Sequence, residues 1–147
     1  MFLSIPEFIG HLHPVLVHLP IGILLLGCLF LWQSRKDKTE NLQSAINVIL
    51  FWGMVSAIIT CITGYILSTT GEYEESLVDF HQWMGISVAV VSILVFYIHK
   101  KNILYRWQGL ITILLLLLVV ITGHLGGSLT HGTDYLTQPL SNVGSDT

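Results

Sequence analysis

Three histidines and two prolines fall within ten residues near the start of the chain, His11-Leu12-His13-Pro14-Val15-Leu16-Val17-His18-Leu19-Pro20, where a long apolar run begins. A simple membrane anchor has no use for them. An imidazole inside a bilayer is costly and marks a functional site by default, because one ring nitrogen can bind a metal while the other needs a hydrogen-bond partner. His81 opens a later apolar run, His124 closes the last one, and His131 follows in Gly123-His124-Leu125-Gly126-Gly127-Ser128-Leu129-Thr130-His131-Gly132. The pattern points to a histidine-lined site near one face of a membrane.

Haem held without a covalent link is the first chemistry such a site could support. It needs two neutral imidazoles at matched depth on facing helices, each with its outer nitrogen held by a partner. His18 and His81 are the expected iron ligands, with His13, His124 and His131 around them. Glycine follows four residues after each ligand, at Gly22 and Gly85, on the same helical face and one turn deeper. That gap would let a flat macrocycle lie against the helix, although small residues also serve close helix packing. Backbone carbonyls near Pro20, Thr63 and Thr122, and the amide of Gln82, could hold the outer ring nitrogens. The haem propionates would rely on amides and hydroxyls at Gly126, Gly127, Ser128 and Thr130, since no Lys or Arg lies on that side.

Copper or zinc is the main alternative, because imidazole suits both metals and nearby acids would attract cations. His11 and His13 could join His18, but positions five apart, such as 13 and 18, do not share a helix face. A third reading is a cofactor-free assembly or anchor subunit of a redox complex. Hydrolysis is not expected, as Ser4, Ser128 and Ser141 stand in no nucleophile-elbow context. An electron carrier is expected rather than a stand-alone enzyme.

The elements that must position these residues follow from composition. Of the 147 residues, 52% are hydrophobic and only 10% charged, and the mean hydropathy is +0.73. This is an integral membrane protein. Apolar runs at about 14–32, 45–67, 81–98 and 107–123 each approach the ~20 residues that cross a hydrocarbon core as helix. Lipid satisfies no backbone group, so runs of this length must be helical. The fold class is an all-α bundle of four transmembrane helices over residues 1–132, followed by a polar outer tail at 133–147.

Residues 1–13 read as a lead-in, with the first helix starting at His13-Pro14 and bending at Pro20, which frees the Leu16 carbonyl. The fourth helix should end near Gly126 and Gly127. His99, beside Lys100 and Lys101, reads as solvated. Cys28 and Cys61 should lie at different depths as unpaired packing residues.

All six basic residues occupy two links, Arg35, Lys36 and Lys38, then Lys100, Lys101 and Arg106. The positive-inside bias puts both links in the cytoplasm and both termini outside, in a bacterial inner membrane. The outer side then carries Glu7, Glu72, Glu74, Glu75, Asp79, Asp134 and Asp146. This asymmetry suits a basic partner, such as a c-type cytochrome or other redox protein, and excludes nucleic acid; self-association is left open. No cleaved signal peptide is read, so the first helix would direct insertion.

An internal repeat relates the two hairpins. His18-x-x-x-Gly22 parallels His81-x-x-x-Gly85, and Ile62-Thr63-Gly64-Tyr65 parallels Ile121-Thr122-Gly123-His124. The first and third helices would then face each other across a pseudo-two-fold axis along the membrane normal.

His13-Pro14-x-x-Val17-His18-x-Pro20, a histidine opening the third helix, and Gly126-Gly127-x-Leu129-x-His131-Gly132 together resemble a widespread bacterial four-helix membrane domain of unassigned function. The closing segment is similar to versions joined to planctomycete-type c-type cytochrome domains, and other members accompany Rieske domains. The resemblance implies redox company and carries over onto His13, His18, His81, His124 and His131. This chain has no Cys-x-x-Cys-His, so the electron partner would be a separate subunit.

Overall fold

The computed structural model describes residues 4–36, 39–70, 75–132 and 135. Lys38, the loop acids Glu72 and Glu74, and the tail beyond Gly132 apart from Tyr135 lie outside the described residues. Among the described residues the fold is built from six helices: α1 (Ile5–His11), α2 (His13–Leu16), α3 (His18–Gln33), α4 (Glu40–Ser68), α5 (Glu75–Lys101) and α6 (Tyr105–His131). The first three run on from one another as a single span, Ile5–Gln33, so four helical spans are long and apolar enough to cross a membrane. Only 17% to 33% of the most apolar stretch of each span is buried. Leu29, Leu110 and Val120 point their side chains outward, an arrangement stable only where lipid covers them.

The first helix starts nine residues earlier than the apolar run suggests. Ser4 and Glu7 form a reciprocal cap: the Ser4 amide donates to Glu7 Oε2 at 2.7 Å, and the Glu7 amide donates to Ser4 Oγ at 3.4 Å. Pro6 stands in the first turn, where its missing N–H costs nothing. The expected lead-in is therefore a helix, and it packs on α4. Buried Gly10 lets the backbones meet, since a Cβ there would stand 3.1 Å from the Leu67 backbone.

Prolines break the span into pieces without ending it. Pro20 has no N–H for the Leu16 carbonyl, and the Thr60 hydroxyl of α4 donates to that oxygen at 3.4 Å. The freed acceptor thus ties the bend to its neighbour.

α3 packs against α4 and α6, and α5 against α4 and α6, so α3 and α5 stand across the bundle from each other. Leu24 lies over Gly53 and Leu50 over Gly27, each glycine admitting the leucine opposite. Leu24, Leu31, Ile46, Leu50, Val95 and Leu115 form the centre of the core. Small residues matter here because lipid is as apolar as the leucines, leaving close packing to hold the helices. Cys28 and Cys61 are both free thiols.

At the end of the bundle carrying Lys and Arg, His99 is half-buried rather than solvated. Its Nδ1 accepts from Gln108 Nε2 at 3.2 Å, and its ring also reaches the Gln43 backbone, so it links α5, α6 and α4. Leu104, with φ 51°, turns the chain tightly into α6.

Candidate functional site

His13 on α2 and His81 on α5 meet at the opposite end. Their ring centroids are 6.3 Å apart and their planes cross at 84°. His13 Nδ1 donates to the Thr60 carbonyl of α4 at 3.0 Å and lies 3.4 Å from Thr63 Oγ1, which itself donates to the same carbonyl at 3.1 Å. A carbonyl can only accept, so the proton of neutral His13 sits on Nδ1 and leaves the Nε2 lone pair for a ligand.

His81 has the corresponding place on α6. Its ring reaches the Thr122 backbone, while its Nδ1 is buried with no partner among the described residues. A buried, unpaired ring nitrogen within a span is costly, because lipid offers it no partner.

Glycine lies beneath each ring. A Cβ on Gly64 would stand 2.7 Å from His13 Cε1 and 3.0 Å from its Nδ1; one on Gly126 would stand 3.2 Å and 3.8 Å from the same atoms of His81. Each glycine is four residues after the threonine whose backbone meets the ring. In a helix the carbonyl at i bonds the amide at i+4, so a missing side chain at i+4 uncovers that carbonyl for a second donor. Thr60-x-x-x-Gly64 and Thr122-x-x-x-Gly126 are thus two copies of one imidazole seat.

The repeat is real in the fold, but its register differs from the one read in the sequence. His13, not His18, corresponds to His81, and Gly126, not Gly123, corresponds to Gly64. His18 is exposed, with its Nδ1 3.3 Å from the Val15 carbonyl, and so is not brought to His81. Five residues turn a helix by about 140°, so once the helix continues through His13 the two histidines cannot both face the bundle. Gly22 follows His18 outward, with open space where a Cβ would be, and Gly123 is equally open. Gly85 faces Cys61, whose Sγ would be 3.9 Å from a Cβ there.

His124 and His131 belong to a second cluster, on the outer face of α6. Tyr135 lies between them, with ring centroids 5.7 Å from His124 and 6.0 Å from His131. The Tyr135 hydroxyl is 3.2 Å from His124 Nδ1, and it would be 2.7 Å from a Cβ on Gly127. Gly127 therefore seats a tyrosine. His11 is exposed, its Nδ1 donating to the Glu7 carbonyl at 2.7 Å.

The partners named from sequence divide the same way. Thr63 and Thr122 lie at the two rings, whereas Gln82 donates to Ser68 Oγ at 3.3 Å. Thr60 was the missed residue; its signal was the Thr-x-x-x-Gly spacing shared with Thr122. Ser128 and Thr130 bond back to the His124 and Gly126 carbonyls, because α6 continues through both glycines to His131 instead of stopping there.

Comparison with known proteins bears on the whole arrangement. The family described as "Predicted membrane protein (DUF2231)" matches residues 10–138. The chain belongs to this DUF2231 family. That match takes in both imidazole seats and this chain's four spans, apart from residues 5–9 of the first. No curated protein and no solved structure shows a significant match.

Proposed function

We propose that this DUF2231 protein is a membrane electron-transfer subunit that holds a haem b between His13 and His81. The observation carrying this reading is that two imidazoles from diagonal helices converge, each ring seated against a backbone. A porphyrin would itself supply four nitrogens to its iron, so two protein residues would suffice to hold it. Zinc and copper sites draw on three or four protein ligands, and no group of three or more His, Cys, Asp or Glu able to hold a metal ion occurs among the described residues. His13 and His81, whose ring centroids are 6.3 Å apart, would be the residues that hold the iron.

Bound haem would supply one-electron chemistry. The chain's own part is to hold His13 in one tautomer through Thr60 and to seat His81 against the Thr122 backbone in the same way. The hydroxyls of Ser128 and Thr130 are already engaged in α6, so the propionates would be left to water.

The same geometry favours a second reading on one specific point. A separation of 6.3 Å at 84° also lies within the ordinary range of edge-to-face aromatic pairs, so a cofactor-free subunit clasped by its histidines is the alternative. A reduced-minus-oxidised visible spectrum of the purified protein, with metal analysis of the same sample, separates the two. Haem bands in wild type that vanish in His13→Ala and His81→Ala support the carrier; a colourless, metal-free wild type overturns it.

The orientation is part of the proposal. The basic links face the bacterial cytoplasm and the histidine end faces outward, where a basic c-type cytochrome or similar redox protein would dock. Cysteine labelling of residues 35 and 101 only from the outside would reverse this.

A further inference from the structure

The lipid-facing side of the first span carries a group that lipid cannot serve. His18 stands one residue from the middle of the 29-residue span Ile5–Gln33, and its ring is exposed on the outside of the bundle. Its Nδ1 is 3.3 Å from the Val15 carbonyl, and among the described residues nothing meets its Nε2. Imidazoles within a span ordinarily face the bundle interior, because a bare polar atom finds no partner in hydrocarbon. The same face of α3 continues through Gly22, Leu26 and Leu29, at spacings of four and three, and all of it is exposed. A Cβ on Gly22 would meet nothing within 4 Å, whereas Gly27 on the inner side admits Leu50. Gly22 therefore serves no packing within the chain.

We propose that two copies of the chain pair along this face, α3 against α3 about a two-fold axis along the membrane normal, with His18 bonded to its counterpart. In such a contact a residue near the axis meets itself, so the polar group at its centre must pair with its own kind. Neutral imidazole can, since one ring nitrogen donates and the other accepts. One ring keeps its proton on Nδ1 toward Val15 and offers the Nε2 lone pair. The other carries its proton on Nε2 and donates, giving up a bond that at 3.3 Å is already long. Gly22, one turn deeper, lets the two backbones close up, and Leu26 and Leu29 pack across the axis below it. Two observations of different kinds thus select a second copy over bulk lipid: a self-complementary polar group at mid-span, and a glycine beneath it that its own chain leaves open. Pairing here does not depend on His13 and His81, which meet inside each copy.

The test follows energy transfer between donor- and acceptor-labelled full chains mixed in phosphatidylcholine vesicles as the lipid-to-protein ratio rises. Transfer should persist on dilution and depend on the acceptor fraction as a dimer requires. His18→Leu should weaken pairing about three- to fifteenfold, the range of hydrogen bonds between membrane helices. His18→Asn, whose amide can also pair with itself, should restore most of it. Gly22→Leu, which holds the backbones apart, should weaken pairing by a separate route, while Val90→Leu on the exposed face of α5 should not. Both α3 positions point away from the bundle, so their variants should melt as wild type does. His13→Ala should pair as wild type does, so loss of the haem reading would leave this one standing. Transfer that falls to the chance level on dilution, His18→Leu pairing as tightly as wild type, His18→Asn as weak as His18→Leu, or an equal loss in Val90→Leu would overturn the proposal.

Discussion

The two hairpins solve the same problem with different tolerances. In the first, α2 brings His13 down onto α4, where Thr60 and Thr63 meet its Nδ1 and Gly64 lies close beneath the ring. In the second, α5 sets His81 against Thr122 and Gly126 of α6 with more room, and one nitrogen is left unpaired. The first half also carries Pro14 and Pro20, which the second lacks. A tightly held, oriented imidazole facing a looser one is what a site needs if one side is fixed and the other adjusts to an occupant.

The comparison breaks most visibly at the rings themselves. His13→Ala and His81→Ala should each abolish a bis-histidine haem spectrum completely, while exposed His18→Ala should leave its bands in place. Loss of the bands in His18→Ala with retention in His13→Ala would return the ligand role to the outward histidine. Visible spectra at matched protein concentration decide it.

The glycine seats come next, and here the halves should differ. Gly64→Ala would drive a methyl to 2.7 Å from His13, an overpacking of about 1–3 kcal/mol. Gly126→Ala, with 3.2 Å to the nearest ring atom, needs a shift of only a few tenths of an ångström and should cost under about 1 kcal/mol. Thermal melting in detergent should therefore rank Gly64→Ala well below Gly126→Ala, and equal losses would show the two seats to be equally tight.

A smaller effect tests why only the first half contains Pro20. Thr60→Val removes the hydroxyl that serves the Leu16 carbonyl and should cost about 0.6 kcal/mol, up to ~1.7, the range of hydrogen bonds between membrane helices. In a Pro20→Ala background the helix supplies its own donor to that carbonyl, so the same change should cost less. A double-mutant cycle reads the difference, and strict additivity would sever the link between the proline and the threonine.

The smallest expected effect lies outside both seats. His124→Ala removes a partner of Tyr135 at an exposed position and should leave stability within about 0.5 kcal/mol of wild type. A larger loss would mean that the α6 cluster supports the His81 half.

Composition, run length and the placement of the six bases were enough to read a four-span, all-helical membrane chain, because lipid permits no other form for such segments. That histidines gather near one end of the bundle, and that glycines admit a ring, was legible as residue types. Which histidine faces inward was not, since that depends on where the first helix begins. Hydropathy placed the start at Pro14, whereas the Ser4 and Glu7 cap placed it at Ile5. A helix carries its phase forward at about 100° per residue, so this earlier start, carried on through His13, is what lets His13 face the bundle and turns His18 to the outside. The register of the repeat, the Thr60 bond that answers Pro20, and the meeting of His13 with His81 all involve two or more helices. Only tertiary packing decides them, because a one-dimensional pattern gives each helix a face but not the partner that face will meet.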